Sequence, residues 1–494
     1  LEKVVSQNDS GSINTSILAS LAWSLEYHSR EDKPNWWRYY ERIGLTPIEL
    51  LDDFDCLALC KRTSKPGFLP TKRSKTLVFE YQFDTGQSFR GGTDTFSVLG
   101  VENEGGYLKT VTFMPEFSDL DNGIIALKAA FPLPEVISLV PLDIINPYPI
   151  PEAIFEVASQ YNIDTMGEES QAIIDFLNRE TPRIINHTHG SIAPGRTPEV
   201  RLPRIIEAVR NLNNSYITIQ GPPGAGKSFT AVRIIASLLK DGHRVGISSN
   251  SHRSINHLLL ETAKYCNALG ISATYICTSN TERELQENGI EIRKNDNLYS
   301  HIEAASVIGT TAWGFARDDM QGKFDYLFID EAGQVPVANL IAMSRSARNL
   351  VLIGDQMQLS QPTQGSHPAE SGLSILNYLL LGAPTIPDDM GIFLGTTYRM
   401  HPEVNGLISH HIYEGKLEAD EVTKIRTITI PKASKSPIQK DAGIVFVPTI
   451  HEGNTQGSDE EAQVIADLTS QLIGREFTPD SNHLLNHTTQ PKQL

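Results

Sequence analysis

The sequence predicts an α/β fold, in which a parallel sheet follows a helical segment and a small β-rich module. Three observations predict it. Apolar runs of strand length recur after residue 216, separated by helical stretches. A glycine-rich loop stands between the first of those runs and a helix. Before residue 150, strand-like alternation is broken by paired glycines. Together these are the marks of a layered α/β architecture with a separate β module.

Taken in order, residues 1–70 read as helical. Ser16–Glu26 places apolar residues three and four apart, and the four-residue spacing of Cys56 and Cys60 puts both thiols on one helix face. Trp36, Trp37, Tyr39 and Tyr40 form an aromatic cluster suited to core packing or, alternatively, to base stacking. Residues 71–150 change texture. Leu77–Phe83 and Tyr107–Phe113 alternate, with Gly91-Gly92 and Gly105-Gly106 as turns, which predicts a small barrel or sheet. Pro147, Pro149 and Pro151 punctuate the chain before a helical stalk and a Pro/Gly-rich link over 151–200. From Tyr216 onward come Tyr216–Ile219, Arg244–Ile247, Ser306–Gly309, Tyr326–Ile329 and Leu350–Ile353. Uniformly apolar runs of this length suit strands covered on both faces.

The 494 residues are enough for roughly three domains. Four cysteines do not make a disulfide framework, which predicts a reducing, cytoplasmic setting. No apolar run approaches the roughly 18 residues of a membrane span, so no membrane partner is expected. Leu1 is not a methionine, so the chain is expected to begin inside a longer protein. A net charge of −17 argues against a whole-surface nucleic-acid binder. Between Arg201 and Arg253, however, eight Lys/Arg face two Asp/Glu, so one basic region can still hold phosphates.

Gly221-Pro222-Pro223-Gly224-Ala225-Gly226-Lys227-Ser228, with Phe229 behind it, has the spacing of a phosphate-cradling loop in the right strand–helix context. Its glycines let backbone N–H groups surround an anion at a helix N-terminus. Lys227 is expected on the β and γ phosphates of ATP and Ser228 on Mg²⁺. Asp330 and Glu331 close an apolar strand, where open α/β sheets bind ligands. Asp330 is the expected magnesium ligand and Glu331 the base that orients water, since phosphoryl transfer needs positioning above all. Gly354–Leu359 follows another strand. Gln358 would sense the γ-phosphate, and Asp355 would tie that loop to the magnesium region. Arg399, in Thr397-Tyr398-Arg399-Met400-His401-Pro402, is placed to stabilise the transferring phosphoryl group.

The order Gly-Pro-Pro-Gly-x-Gly-Lys-Ser, Asp330–Gln334, Gly354–Leu359 and Tyr398–Pro402 resembles the Upf-like branch of superfamily-one helicases. Ser249–His252, Gly354–Gly365 and Ile412–Gly415 look more narrowly like the helicase half of bacterial fusions with a RecB-like nuclease. The resemblance implies a RecA-like lobe over 201–384, a partial second lobe over 385–475 and an irregular tail over 476–494. It also implies ATP-driven movement on single-stranded DNA or RNA. Ser249, Asn250, Ser251, Thr310 and Thr311 would touch the strand, Tyr398 would stack on adenine, and Gln334 would couple nucleotide state to the strand. Several family features are missing. No glutamine stands at the adenine-reading position before the loop, and the last two family motifs are absent. Only 94 residues follow Met400, which predicts a truncation or frame change after about Gly474. A RecB-like nuclease motif is also absent, so a nuclease domain is expected upstream of Leu1. Glu414-Gly415-Lys416 reads as a turn.

Overall fold

The computed structural model describes residues 14–162, 167, 170–195, 197–303, 305–430, 436–455, 457–478 and 492–493. Most of the predicted tail, and residues 1–13, lie outside the described residues. The chain divides into two compact units. One comprises residues 1–25, 148–362 and 368–494; the other comprises 26–147 together with the short segment 363–367.

The smaller unit is built on a closed antiparallel barrel. Its strands are β1 (Leu57–Arg62), β2 (Leu77–Gln82), β3 (Thr95–Glu102), β4 (Leu108–Phe113), β5 (Ile124–Ala129) and β6 (Val136–Pro141), in the order β1-β2-β5-β4-β3-β6. Closure removes the exposed edges of an open sheet. The interior is filled by Leu57, Phe79, Tyr81, Phe96, Val98, Ile125, Leu127 and Leu139. Here one expectation is corrected. Residues 57–62 are a strand, not helix, and Cys56 and Cys60 are buried. Leu59 has a positive φ of 55° and the register with β6 shifts there. The irregularity sets Leu57 and Cys60 together in the barrel interior, whereas Cys56 and Ala58 pack in a second cluster with Leu50 and Val140, so the two cysteines share no face.

A helix, α1 (Thr15–Leu25), belongs to the larger unit, whereas the next, α2 (Tyr27–Ile43), belongs to the barrel unit. Tyr39 shares a hydrogen bond with Ser97 on β3, and Arg42 is paired with Asp53 and Asp55. Trp36 stacks on Tyr40, and Trp36, Trp37 and Tyr40 are all exposed, so these three aromatics are not core. Segment 363–367 is held in this unit by Glu31, which accepts from the amides of Gln364 and Gly365 and from the His367 ring. A Cβ at Gly365 would lie 2.5 Å from the Arg30 carbonyl, so only glycine fits.

The larger unit is centred on an eight-stranded parallel sheet. Its strands are β7 (Tyr216–Gln220), β8 (Val245–Ser248), β9 (Thr274–Cys277), β10 (Ile290–Ile292), β11 (Ser306–Gly309), β12 (Phe324–Ile329), β13 (Ala347–Gly354) and β14 (Gly391–Phe393), ordered β10-β9-β11-β8-β12-β13-β7-β14. All five runs read as strands from their composition are strands. The short β9, β10 and β14 carry too few apolar residues to stand out. Because β14 pairs in parallel with β7, the sheet extends past the expected boundary at 384. Ile217, Ile219, Val245, Ile247, Phe328, Val351 and Ile353 form the central core with the helices on that face. Elsewhere in this unit α1 and α3 (Ile150–Asn162) pack together and against α4 (Val337–Ser344), whose residues are all buried.

Past β14 the texture thins. Among the described residues of 394–478 the strands form only small pairs, β15 (Thr396–Thr397) with β16 (Glu418–Ala419), and 476–477 with 492–493. Helix α5 (Pro402–Ile412) precedes α6 (Asp459–Leu472), which buries none of its residues. No described helix is long and apolar enough to cross a membrane.

Candidate active site

The C-terminal ends of β7, β8, β12 and β13 meet at one edge of the sheet. Parallel pairing sets Gly354 opposite Gln220, and Ile329 opposite both Leu352 and Ser248. The glycine-rich loop after β7, the acidic pair after β12 and the Gly354–Leu359 loop after β13 are thereby neighbours. Close backbone approach requires the glycines. A Cβ at Gly354 would lie 2.7 Å from the Ala332 nitrogen, and one at Gly333 would lie 2.3 Å from the Asp355 carbonyl.

Gly224 and Gly226 both have positive φ, 75° and 83°, a region where a Cβ is strained. At Gly224 there is a second reason. A Cβ there would stand 2.3 Å from the Arg399 Cβ and 3.0 Å from the Thr397 hydroxyl. The Thr397–Arg399 segment is seated directly on the loop. Tyr398 donates its N–H to the Gly224 carbonyl at 2.9 Å, and the buried Thr397 hydroxyl donates to the Pro223 carbonyl at 3.0 Å. The same hydroxyl receives the Arg399 and Met400 amides at 3.3 and 3.4 Å. Lys227, the first residue of the following helix, donates its Nζ to the Gly221 carbonyl at 2.9 Å.

A cavity of about 1420 Å³ opens above this loop. It is lined by residues 222–229 of the loop, by Glu331, Gln358, Tyr398 and Arg399, and by Lys416 and Glu418. The expected catalytic residues Lys227, Glu331, Gln358 and Arg399 are thus brought to one space, with Ser228 and Tyr398. Gln358 makes a long contact to Asp355, 3.4 Å, and Asp355 is held by the Tyr413 hydroxyl at 2.7 Å. Asp355 therefore ties its loop to the segment beyond β14. Phe229 is exposed, with the Arg233 guanidinium over its ring.

Asp330, beside Glu331 at the end of β12, is buried and does not line the cavity. Burial above all, then the adjacent Glu331 charge, pushes its carboxyl up to about 6. Glu331 holds a positive φ of 54°, strained for a residue with a Cβ. Asp330 and the Ser228 hydroxyl suit Mg²⁺, a hard cation served by oxygen donors. A buried carboxylate destabilised by a neighbouring like charge is the environment a cation relieves.

One wall of the cavity was not legible as functional. Residues 191–202, read as a link and helix start, contribute Ala193, Pro194, Gly195, Glu199 and Arg201. The Arg201 guanidinium joins the Ala193 carbonyl (3.1 Å) to the Phe393 carbonyl on β14 (2.7 Å). Its role depends on a partner 192 residues away, which no local pattern reports. Glu414 and Gly415 have positive φ, so Glu414–Lys416 is a turn.

The expected strand contacts divide. Ser249 and Thr310 are buried, and the Thr310 hydroxyl is engaged with Asn295 and Thr278. Both hydroxyls lie inside the fold in this structure. Ser251 accepts the Ser254 amide as helix cap. Asn250 is exposed but its amide nitrogen is spent on Gln334 and Gln361. Thr311 is partly exposed at the start of a short helix.

With the geometry in place, likenesses to known proteins can be set beside it. Two family patterns, each described as an AAA domain, match residues 272–366 and 379–482. The DNA replication ATP-dependent helicase/nuclease dna2 of Schizosaccharomyces pombe is 27% identical over 277 residues, covering 55% of this chain and 19% of that protein. The Gallus gallus helicase/nuclease DNA2 is 25% identical over 261 residues, 50% of this chain and 26% of that one. A regulator of nonsense transcripts 1 homolog of Drosophila melanogaster is 25% identical over 261 residues, 45% of this chain and 22% of its own length. The chain thus spans about a quarter or less of these relatives. Among solved structures, the complex of arterivirus nonstructural protein 10 (helicase) with DNA aligns with 13% identity and a TM-score of 0.33, over 70% of this chain and 58% of that one, too remote to add to the topology.

Proposed function

We propose that the chain is the ATP-hydrolysing motor portion of a helicase or translocase that works on single-stranded nucleic acid. The observation that carries this reading is the seating of Thr397–Arg399 on the phosphate loop, which places Arg399 in one cavity with Lys227, Glu331 and Gln358. The loop amides and Lys227 would hold the triphosphate, with Lys227 leaving the Gly221 carbonyl for the β and γ phosphates. A magnesium ion held through Ser228 and Asp330 would neutralise charge on those phosphates. Glu331 would orient the attacking water, Gln358 would contact the γ-phosphate, and Arg399 would stabilise charge on the transferring group. Tyr398, at the cavity rim, is the candidate for stacking on the base.

DNA is the favoured strand because several similar proteins are named for DNA replication. Their helicase/nuclease names also favour a nuclease domain elsewhere in a longer protein. The test is ATP hydrolysis with and without single-stranded DNA, beside Lys227→Ala and Glu331→Gln. Strand-stimulated turnover lost in both variants supports the motor reading. ATP binding without turnover in the unaltered chain would replace it with a nucleotide-gated binding module.

A further inference from the structure

The barrel unit carries a concentration of positive charge at one hairpin. Residues 61–75, from the end of β1 almost to β2, hold six Lys/Arg and no Asp/Glu, in a chain of net charge −17. The Phe68 amide donates to the Val78 carbonyl at 3.0 Å, and the Val78 amide donates to the Phe68 carbonyl at 2.8 Å. Residues 69–77 are thereby closed into a tip. Within it the Ser74 amide donates to the Thr71 carbonyl at 3.0 Å, and the Ser74 hydroxyl donates to the Thr76 carbonyl at 3.0 Å. Pro66 and Pro70 stiffen the base of the tip, where the Phe68 ring packs edge-on against Phe117. Two of the six cations are engaged. Lys65 pairs with Glu80 at 2.7 Å, and the Arg62 guanidinium lies over the Phe79 ring. Lys61, Lys72, Arg73 and Lys75 are exposed, and among the described residues no carboxylate pairs with them.

Lysines often guard an exposed sheet edge, yet this barrel is closed and has no edge to guard. Solubility does not call for them either, in a chain with 59 Asp/Glu against 42 Lys/Arg. Three like charges within four residues repel one another, and a polyanion relieves that repulsion. Resting on the motor reading above, we propose that the β1–β2 tip is an electrostatic anchor, in which Lys72, Arg73 and Lys75 hold the phosphates of a single nucleic-acid strand. Its residues belong to the barrel unit, whereas the nucleotide cavity belongs to the other. Cations on phosphates carry no sequence information, so the anchor is indifferent to base sequence. It also works without nucleotide. Its effect is to raise the concentration of strand available to the same chain's motor.

The experiment measures the affinity of the full chain for a labelled single-stranded oligothymidylate, without nucleotide, across about 50–200 mM salt. The unaltered chain is compared with the triple variant Lys72→Gln, Arg73→Gln, Lys75→Gln. Each phosphate neutralised on a single strand contributes about 0.7 to the slope of log affinity against log salt. The triple variant should therefore lose about 2 from that slope and bind about 100-fold more weakly near 0.1 M salt. A mixed-sequence oligonucleotide should show the same loss. Strand-free ATP hydrolysis should be unchanged. The strand concentration for half-maximal stimulation should rise while the rate at saturating strand stays within about twofold, the pattern of lost uniform binding. The double variant Lys72→Arg, Lys75→Arg keeps the charge and should bind as the parent does. A triple variant with the parental slope and affinity overturns the anchor, and so does an Arg variant that binds as weakly as the triple one. Phosphatidylserine vesicles held by the parent but not by the triple variant, at unchanged oligonucleotide affinity, would reassign the tip to a membrane surface. Tip-dependent strand affinity without strand-stimulated hydrolysis would remove the motor reading and leave the anchor. Stimulated hydrolysis with tip-independent affinity would do the reverse.

Discussion

Residues 216–393 and residues 394–478 share one compact unit and one cavity, yet they are held in different ways. The first region is a parallel sheet whose central strands are buried almost throughout. In the second, α6 buries no residue, and Phe446, Ile450, Ile465 and Ile473 are exposed. Besides Leu394 in the core and the Tyr413 ring on Phe393, polar contacts fix the second region at the cavity. They include Thr397 and Tyr398 on the phosphate loop, Tyr413 on Asp355, and Glu414 and Lys416 on Thr385. The difference teaches that nucleotide binding and catalysis rest on different foundations. The loop is set by core packing, whereas Arg399 is set by a few hydrogen bonds. Losses in the second region should therefore cost turnover well before they cost the fold.

A large break between the regions is expected from Gly224→Ala. The added methyl meets the Arg399 Cβ and strains a left-handed residue. Turnover should fall by about 100-fold or more, the scale of a lost preorganised charge contact, while the thermal transition of the sheet moves only slightly. Steady-state hydrolysis beside calorimetry checks both halves of that statement.

Tyr413→Phe sharpens the same comparison. It removes the hydroxyl that reaches the buried Asp355 and leaves that carboxylate oxygen with only the long Gln358 contact. An unsatisfied buried group costs about 1–3 kcal/mol, so denaturant unfolding should show a loss of that order. Turnover should fall with it, because the Gln358 loop is released. A Phe variant as stable as the parent would show that Asp355 finds another donor.

A smaller effect concerns pH. Asp330 is pushed up to about 6 by burial and by Glu331, whereas an unfolded aspartate titrates near 4. The folded state thus binds the extra proton in that window, and stability contributed by this group falls as pH rises from about 4 to about 6. Without magnesium, the thermal midpoint of the parent should drop relative to Asp330→Asn across that range. The two pH profiles should run parallel above it.

How much of this was legible follows the same division. The five long strands announced themselves because a strand covered on both faces is apolar throughout. The phosphate loop did so because few residue types can surround an anion at a helix start. β1 was misread because the four-residue spacing of Cys56 and Cys60 looks helical, although the two thiols pack in different clusters. Burial of Ser249 and Thr310 was not legible either, since a hydroxyl near a strand end suits a core hydrogen bond as well as a phosphate. Arg201 and Asn250 act through partners up to 192 and 111 residues distant, and only the folded topology brings those together.

The central claim is that Arg399, delivered by the loosely packed region, acts on a nucleotide held by the tightly packed one. The most direct test is ATP affinity and single-turnover hydrolysis in Arg399→Ala. ATP affinity within about threefold of the parent, with hydrolysis slowed by about 10³-fold or more, is the predicted result, matching the scale of an arginine finger. Hydrolysis within about tenfold of the parent would contradict the claim.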